Sequence, residues 1–140
     1  MSSPAWLNLD RALADTGVFI LWYRGEPNAK LFFRNPNIQI YYSRVTRKEL
    51  LRSPIRDAER RRISMMLGSL RQINPDTSVT DAYTNLLSLY PNLRHHLADA
   101  LIAATAWAKN LPLVTTNVRH FRSIKELGVI PFLGVLRSLP

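Results

Sequence analysis

The chain has 140 residues, 46% of them hydrophobic, which suits one domain with one core and excludes a disordered polar tract. It contains no cysteine, so disulfides, thiolate chemistry and cysteine-rich zinc sites are excluded and any metal must be held by oxygen or imidazole. No apolar run approaches a bilayer span, the start lacks the basic and apolar regions of a secretory signal, and the formal net charge is +9; a cytoplasmic protein with a polyanionic partner is expected, most simply nucleic acid, with an acidic protein as the alternative.

Residues 1–10, with Pro4 and scattered polar side chains, read as a lead-in to a domain spanning 11–140. Arg11 to Asp15 is a poor strand by propensity, and the apolar run Val18 to Tyr23 follows it. From Gly25 to Pro36 the glycine, prolines and asparagines predict a loop with one helical turn around Ala29 to Phe33. Asn37 to Ser43 is β-rich and alternating, a strand, and Ser43 then opens a helix that carries Glu49. Between Arg44 and Arg62 lie eight basic residues against three acidic ones, an excess that accounts for much of the chain's positive charge. The outward face of the segment from Arg56 to Arg62 reads as solvated, and Ile63 to Leu70 continues that helix into the core. Asn74 to Thr77 is a turn and Ser78-Val79 a minimal strand; Thr80-Asp81 opens a further helix with Asp81 as its cap, ended by Pro91-Asn92.

The next helix has almost no polar surface. Ala98, Ala100 to Ala104, Ala106 and Trp107 require packing on most sides, and its alanines let neighbouring backbones approach closely. Its single carboxylate, Asp99, reads equally as an N-terminal cap and as a functional acid. His95 and His96 precede it at a spacing that reaches the same face; a structural use is favoured over metal ligation. Leu113 to Thr115 is a short apolar strand, and Thr115-Thr116-Asn117 leaves it at the carboxyl end, where open α/β sheets bind ligands. Gly128 to Val135 supplies a last edge strand that tolerates Pro131. Helices alternating with short strands predict an α/β fold with a parallel sheet.

Several of these segments, in this order, resemble the PIN-domain family and within it the VapC-like toxin ribonucleases. The D-A-L-I-A-A-T-A, L-V-T-x-N and R-x-F segments of that family correspond to Asp99-Ala-Leu-Ile-Ala-Ala-Thr-Ala, Leu113-Val-Thr-Thr-Asn and Arg119-His-Phe121. Asp15-Thr-Gly-Val-Phe-Ile resembles D-T-N-V-L-I, with Gly17 in place of the usual Asn, and Ser43-Arg-Val-Thr-Arg-Lys-Glu49-Leu resembles S-x-x-T-x-x-E-L. The resemblance implies one PIN-like domain, a short central parallel sheet flanked by helices. It implies a metal-dependent endoribonuclease, the toxin of a toxin–antitoxin pair, using Mg²⁺ or Mn²⁺.

On this reading Asp15 and Asp99 bind the metal, Glu49 binds it or positions the attacking water, and Asn117 and Thr115 support them. Thr16 caps the first helix or orients the Asp15 carboxylate. The family's fourth acid is missing: Asn117 and His120 stand at its two usual positions, offering a carbonyl and a proton-transferring ring without negative charge. Arg44, Arg47, Lys48 and Arg52, around the helix that aims Glu49, and Arg119 are the expected RNA contacts. The implied partners are RNA, a cognate antitoxin whose peptide segment meets the apolar Trp22, Phe32 and Phe33, and a second copy in a homodimer; no membrane is involved. The rival reading is a catalytically weak PIN-like protein that binds nucleic acid or a partner through the same basic surface.

Overall fold

The computed structural model describes residues 2–52 and 55–137. Its strands are β1 (Ser2–Pro4), β2 (Arg11–Ala14), β3 (Gln39–Ser43), β4 (Arg71–Ile73), β5 (Leu113–Thr115), β6 (Val129–Pro131) and β7 (Val135–Arg137). Its helices are α1 (Thr16–Tyr23), α2 (Pro27–Arg34), α3 (Arg44–Arg52), α4 (Asp57–Gly68), α5 (Thr77–Leu89), α6 (Leu97–Ala108) and α7 (Val118–Phe121), with a 3₁₀ turn over Pro91–His95. Five strands form one parallel sheet in the order β4-β3-β2-β5-β6. The central strand is Arg-Ala-Leu-Ala, weak by propensity. It is held by neighbours on both sides, Leu13 opposite Tyr41 of β3 and Leu113 of β5.

Side chains alternate across this sheet with period two, and the core divides accordingly. Ala12, Ala14, Ile40, Tyr42 and Val114 face a layer containing Phe19, Phe32 and Leu67. Leu13 and Leu113 face the opposite layer, where Leu86 of α5 packs with Ile102, Ala103 and Ala106 of α6. The expectation of an α/β domain with a parallel sheet between helices is met, and the near-absence of a polar face on α6 has its cause in this burial. Ala100, Ile102, Ala103, Ala104, Thr105 and Ala106 are all buried.

The residues read as a lead-in are packed. β1 pairs antiparallel with β7, and Trp6 is buried beside Phe32 and stacked on Phe132 at 5.9 Å between ring centroids. The expected loop from Gly25 to Pro36 is mostly a two-turn helix. Glu26 caps it by accepting the Ala29 N–H, and Pro27 occupies the first turn, where its missing N–H costs nothing. The strand expected at Ser78-Val79 is helix, because Asp76 caps α5 by accepting the Val79 N–H at 3.0 Å, five residues before the expected Asp81. The strand lies earlier, at Arg71–Ile73, an edge strand too polar and short to stand out. Phe32, expected on an exposed apolar face, is fully buried, while Trp22 and Phe33 are half-buried.

Candidate active site

The parallel topology gathers the motif residues at one edge. Asp15 directly follows β2, Ser43 ends β3 and Thr115 ends β5, so three carboxyl ends lie side by side. Asp15 extends the ladder with its N–H to the Val114 carbonyl at 2.9 Å, then caps α1, its Oδ1 accepting the Thr16 N–H at 2.7 Å. Its Oδ2 accepts the hydroxyl hydrogen of Thr115, also at 2.7 Å. Asp15 is only 6% exposed. Burial pushes its carboxyl above the ordinary range; the Thr115 hydroxyl and Thr16 N–H pull it back, and the charges of Asp99 and Glu49 push it up again. The charges of the other two expected acids therefore reach Asp15.

Glu49 enters from α3. Ser43 opens that helix as expected, its Oγ accepting the Val45 N–H at 3.3 Å. Thr16 donates its hydroxyl hydrogen to Glu49 Oε1 at 2.7 Å, and since one hydrogen cannot serve two bonds, the 2.9 Å contact between the Thr16 and Thr46 hydroxyls is donated by Thr46. The cap of α1 is Asp15 and not Thr16; the Thr16 hydroxyl, expected to cap or to orient Asp15, holds Glu49 instead, and it is the Thr16 backbone N–H that orients the Asp15 carboxylate. Thr46, fully buried, was not singled out from the sequence, although it is the Thr of the S-x-x-T-x-x-E-L element.

Asp99 sits in the first turn of α6, but the N-terminal cap position is His96, which makes no capping bond. The Asp99 carboxylate bonds His120 instead, Oδ2 lying 2.7 Å from Nδ1, and the same ring nitrogen is 2.8 Å from the Asn117 amide. The imidazole tautomer decides which of these contacts is donated, since a single ring nitrogen cannot donate to Asp99 and accept from Asn117 together. Asn117 is anchored by its N–H to Thr115 Oγ1 at 2.9 Å. The two residues at the places of the missing fourth acid are thereby tied to Asp99 and to Thr115.

No two of the three acids bond each other among the described residues; each is tied to a neutral donor or to imidazole. Three carboxylates repel, and these partners hold them apart while leaving oxygen atoms for a hard divalent ion. Carboxylate oxygen is the ligand chemistry such an ion takes, although among the described residues the ligand atoms of these three acids are not drawn together as closely as those of His96, Asp99 and His120.

Gly17 has a local reason. A Cβ at this position would lie 2.2 Å from Thr116 Oγ1, so the threonine hydroxyl fills the space that a side chain at 17 would take. A cleft of about 530 Å³ opens beside Asp99 and is lined by His96, His120, Arg119, Tyr90 and Leu93 among others. Arg44, Arg47, Lys48 and Arg52 come together around a separate concavity of about 350 Å³ along the exposed face of α3. Arg119 thus lines the same cleft as Asp99, and the basic group lines its own concavity on α3, the helix that also carries Glu49.

Comparison with known proteins agrees with this fold. The chain is 33% identical over 120 residues to Ribonuclease VapC10 of Mycobacterium tuberculosis, a match covering 82% of this chain and 89% of the relative. A toxin–antitoxin complex from Klebsiella pneumoniae contains a similar chain, 28% identical with a TM-score of 0.72 over 86% of this chain and 96% of that one. The fold is shared with a chain of DNA-bound VapBC from Salmonella typhimurium at a TM-score of 0.74, with 21% identity over 86% of this chain and 96% of that one. Among the described residues no helix is long and apolar enough to cross a membrane. The model of the PIN domain matches residues 12–127, from the central strand to beyond the last helix of the site, and the chain belongs to the PIN-domain family.

Proposed function

We propose that this protein is a metal-dependent endoribonuclease, the toxin of a toxin–antitoxin pair, acting in the cytoplasm and held inactive by a cognate antitoxin in an assembly of dimeric toxin. The observation that carries this reading is the buried Asp15 carboxylate at the sheet edge, with Glu49 and Asp99 both close enough to raise its proton affinity. The kinship with Ribonuclease VapC10 and with the toxin–antitoxin complex from Klebsiella pneumoniae supports the substrate class and the partner.

Asp15, Asp99 and Glu49 are the residues that would hold Mg²⁺ or Mn²⁺. When bound, such an ion supplies a nucleophilic water near neutral pH and charge stabilisation at the phosphate. Thr115 and the Thr16 N–H fix the orientation of Asp15, and the Thr16 hydroxyl fixes Glu49 so that its second oxygen is available to orient an attacking water. His120, bonded to Asp99, is placed to give or take a proton at the edge of the cleft, with the Asn117 amide beside the same ring nitrogen as the alternative partner. Arg119 in the cleft and Arg44, Arg47, Lys48 and Arg52 along α3 bind phosphates of the RNA.

The test is cleavage of RNA by the purified protein with Mg²⁺, with Mn²⁺ and with EDTA, alongside Asp15→Asn and Asp99→Asn. Cleavage that needs the divalent ion and falls by orders of magnitude in both variants is expected; cleavage that persists in EDTA and survives Asp99→Asn overturns the reading. One observation favours a weak or purely binding protein: Asn117 and His120, neither of which carries negative charge, stand where the family commonly has a further acid. RNA binding without detectable cleavage in Mn²⁺ across varied RNAs would establish that alternative.

A further inference from the structure

His96, Asp99 and His120 form a second donor set beside the carboxylate centre. One nitrogen of each imidazole and one carboxylate oxygen all lie within 4.8 Å of one another, and no other group of three histidines or acids among the described residues is drawn together in this way. The two rings are 4.9 Å apart between centroids and inclined at 33°. His96 comes from the junction of the 3₁₀ turn and α6, and His120 from α7, so two separate elements present their rings to the one acid. At the head of α6 the natural duty of a side chain is to cap, yet the His96 ring makes no capping bond and turns to this cluster instead.

We propose that these three residues hold a borderline transition-metal ion of the Zn²⁺ and Co²⁺ class, in a mixed nitrogen and oxygen site adjoining the all-oxygen centre. Imidazole suits such ions, whereas Mg²⁺ takes oxygen and keeps its waters. Bonds of roughly 2.0–2.2 Å around a tetrahedral ion put its ligand atoms roughly 3.3–3.5 Å apart. The observed spread of up to 4.8 Å closes to that by small rotations of exposed rings, and the 2.7 Å separation between Asp99 Oδ2 and His120 Nδ1 opens as their hydrogen bond is replaced. The cleft mouth leaves the fourth position to water. Arg119 lines the same cleft, so binding rests on the imidazole nitrogens rather than on an excess of negative charge. The site shares only Asp99 with the carboxylate centre, and it requires neither RNA nor catalysis.

The experiment strips the full chain with a chelator, removes the chelator, and titrates Co²⁺ by its visible absorption and Zn²⁺ by calorimetry at neutral pH. A tightest-binding equivalent with the spectral signature of nitrogen ligation is expected, distinct from any weaker oxygen-ligated Co²⁺ at the carboxylate centre. His96→Ala and His120→Ala should each weaken binding about tenfold or more, because each removes one of three protein ligands. His95→Ala, an exposed imidazole outside the cluster, and Asp15→Asn, which disables the carboxylate centre alone, should change it by less than about twofold. Wild-type affinity in both His96→Ala and His120→Ala overturns the proposal, as does a loss in Asp15→Asn equal to that in His120→Ala, which places the ion among the carboxylates. Metal-free thermal midpoints establish that the variants fold, and His96→Ala, at an exposed position, decides the matter if His120→Ala does not. Absence of ribonuclease activity leaves these binding results unaffected.

Discussion

Thr115 donates its hydroxyl hydrogen to the buried Asp15 carboxylate at 2.7 Å and accepts the Asn117 N–H on the same oxygen at 2.9 Å. One side chain thus orients the central acid and starts the turn that carries Asn117 and His120. Thr115→Val keeps the shape and removes both bonds. It leaves a carboxylate oxygen and a backbone N–H without partners, a loss of about 2–3 kcal/mol. Chemical denaturation should show that loss, and Thr115→Ser should recover most of it; an unchanged midpoint for Thr115→Val would mean that water replaces the hydroxyl at no cost.

Asp15 also sets a pH dependence. Its folded-state carboxyl is raised, chiefly by burial, so between the ordinary carboxylate range and that raised value the folded chain binds more protons than the unfolded one. Stability contributed by this group is therefore present at acid pH and is lost as pH rises through that interval. In EDTA, Asp15→Asn should become progressively more stable relative to wild type over the same interval and hold a constant advantage above it. Urea midpoints measured from pH 4 upward check this, and a difference that stays flat or reverses would show that Asp15 is not strained by its surroundings.

Gly17 and Thr116 are coupled by space. A Cβ at 17 meets the threonine hydroxyl at 2.2 Å. Gly17→Ala should cost about 1–2 kcal/mol through overpacking at the head of α1. In a Thr116→Ala background the clash is gone and the same change should become neutral or slightly stabilising, as alanine is favoured over glycine in a helix by about 0.5–1 kcal/mol. A double-mutant cycle by thermal denaturation should return a coupling of about 1 kcal/mol or more; additive effects would show that the Thr116 side chain simply rotates away.

Arg47 and Arg52 lie together on the exposed face of α3. If both contact RNA phosphates, the Arg47→Ala, Arg52→Ala double variant should bind RNA more weakly, with a log–log salt dependence flatter by roughly 0.7 per contact removed. The matching change at Arg60 and Arg61 on α4 should do much less. Equal slopes for the wild type and the first double variant would remove α3 from the RNA path.

The sequence made the buried helix and its acid legible because α6 carries its pattern locally, an alanine-rich run with one carboxylate. What Asp99 bonds was not legible, since His120 lies 21 residues away and only the packing of α7 on α6 brings them together. β2 was visible only through its resemblance to a motif, since Arg-Ala-Leu-Ala gains its strand from partners 28 and 100 residues along the chain. The errors were local ones of punctuation. Glu26-Pro27 starts a helix where prolines suggested a loop, and Asp76 caps where Asp81 was expected, because a bonded cap is set by geometry and several acids qualify by type. Trp6 was missed because nothing near it in sequence announces the aromatic pair, Phe32 and Phe132, that buries it.

The hydrogen bond between Asp15 and Thr115 spans 100 residues, and the central strand has one neighbour from each half of the chain. During synthesis on the ribosome, a nascent chain that has released β2, β3 and α3 already holds Asp15 and Glu49, yet it has neither β5 to complete the sheet nor α6 to present Asp99. Long-range parallel pairing of this kind forms late in folding. The same topology therefore leaves the growing polypeptide without the assembled group of acids until the carboxyl-terminal third has emerged.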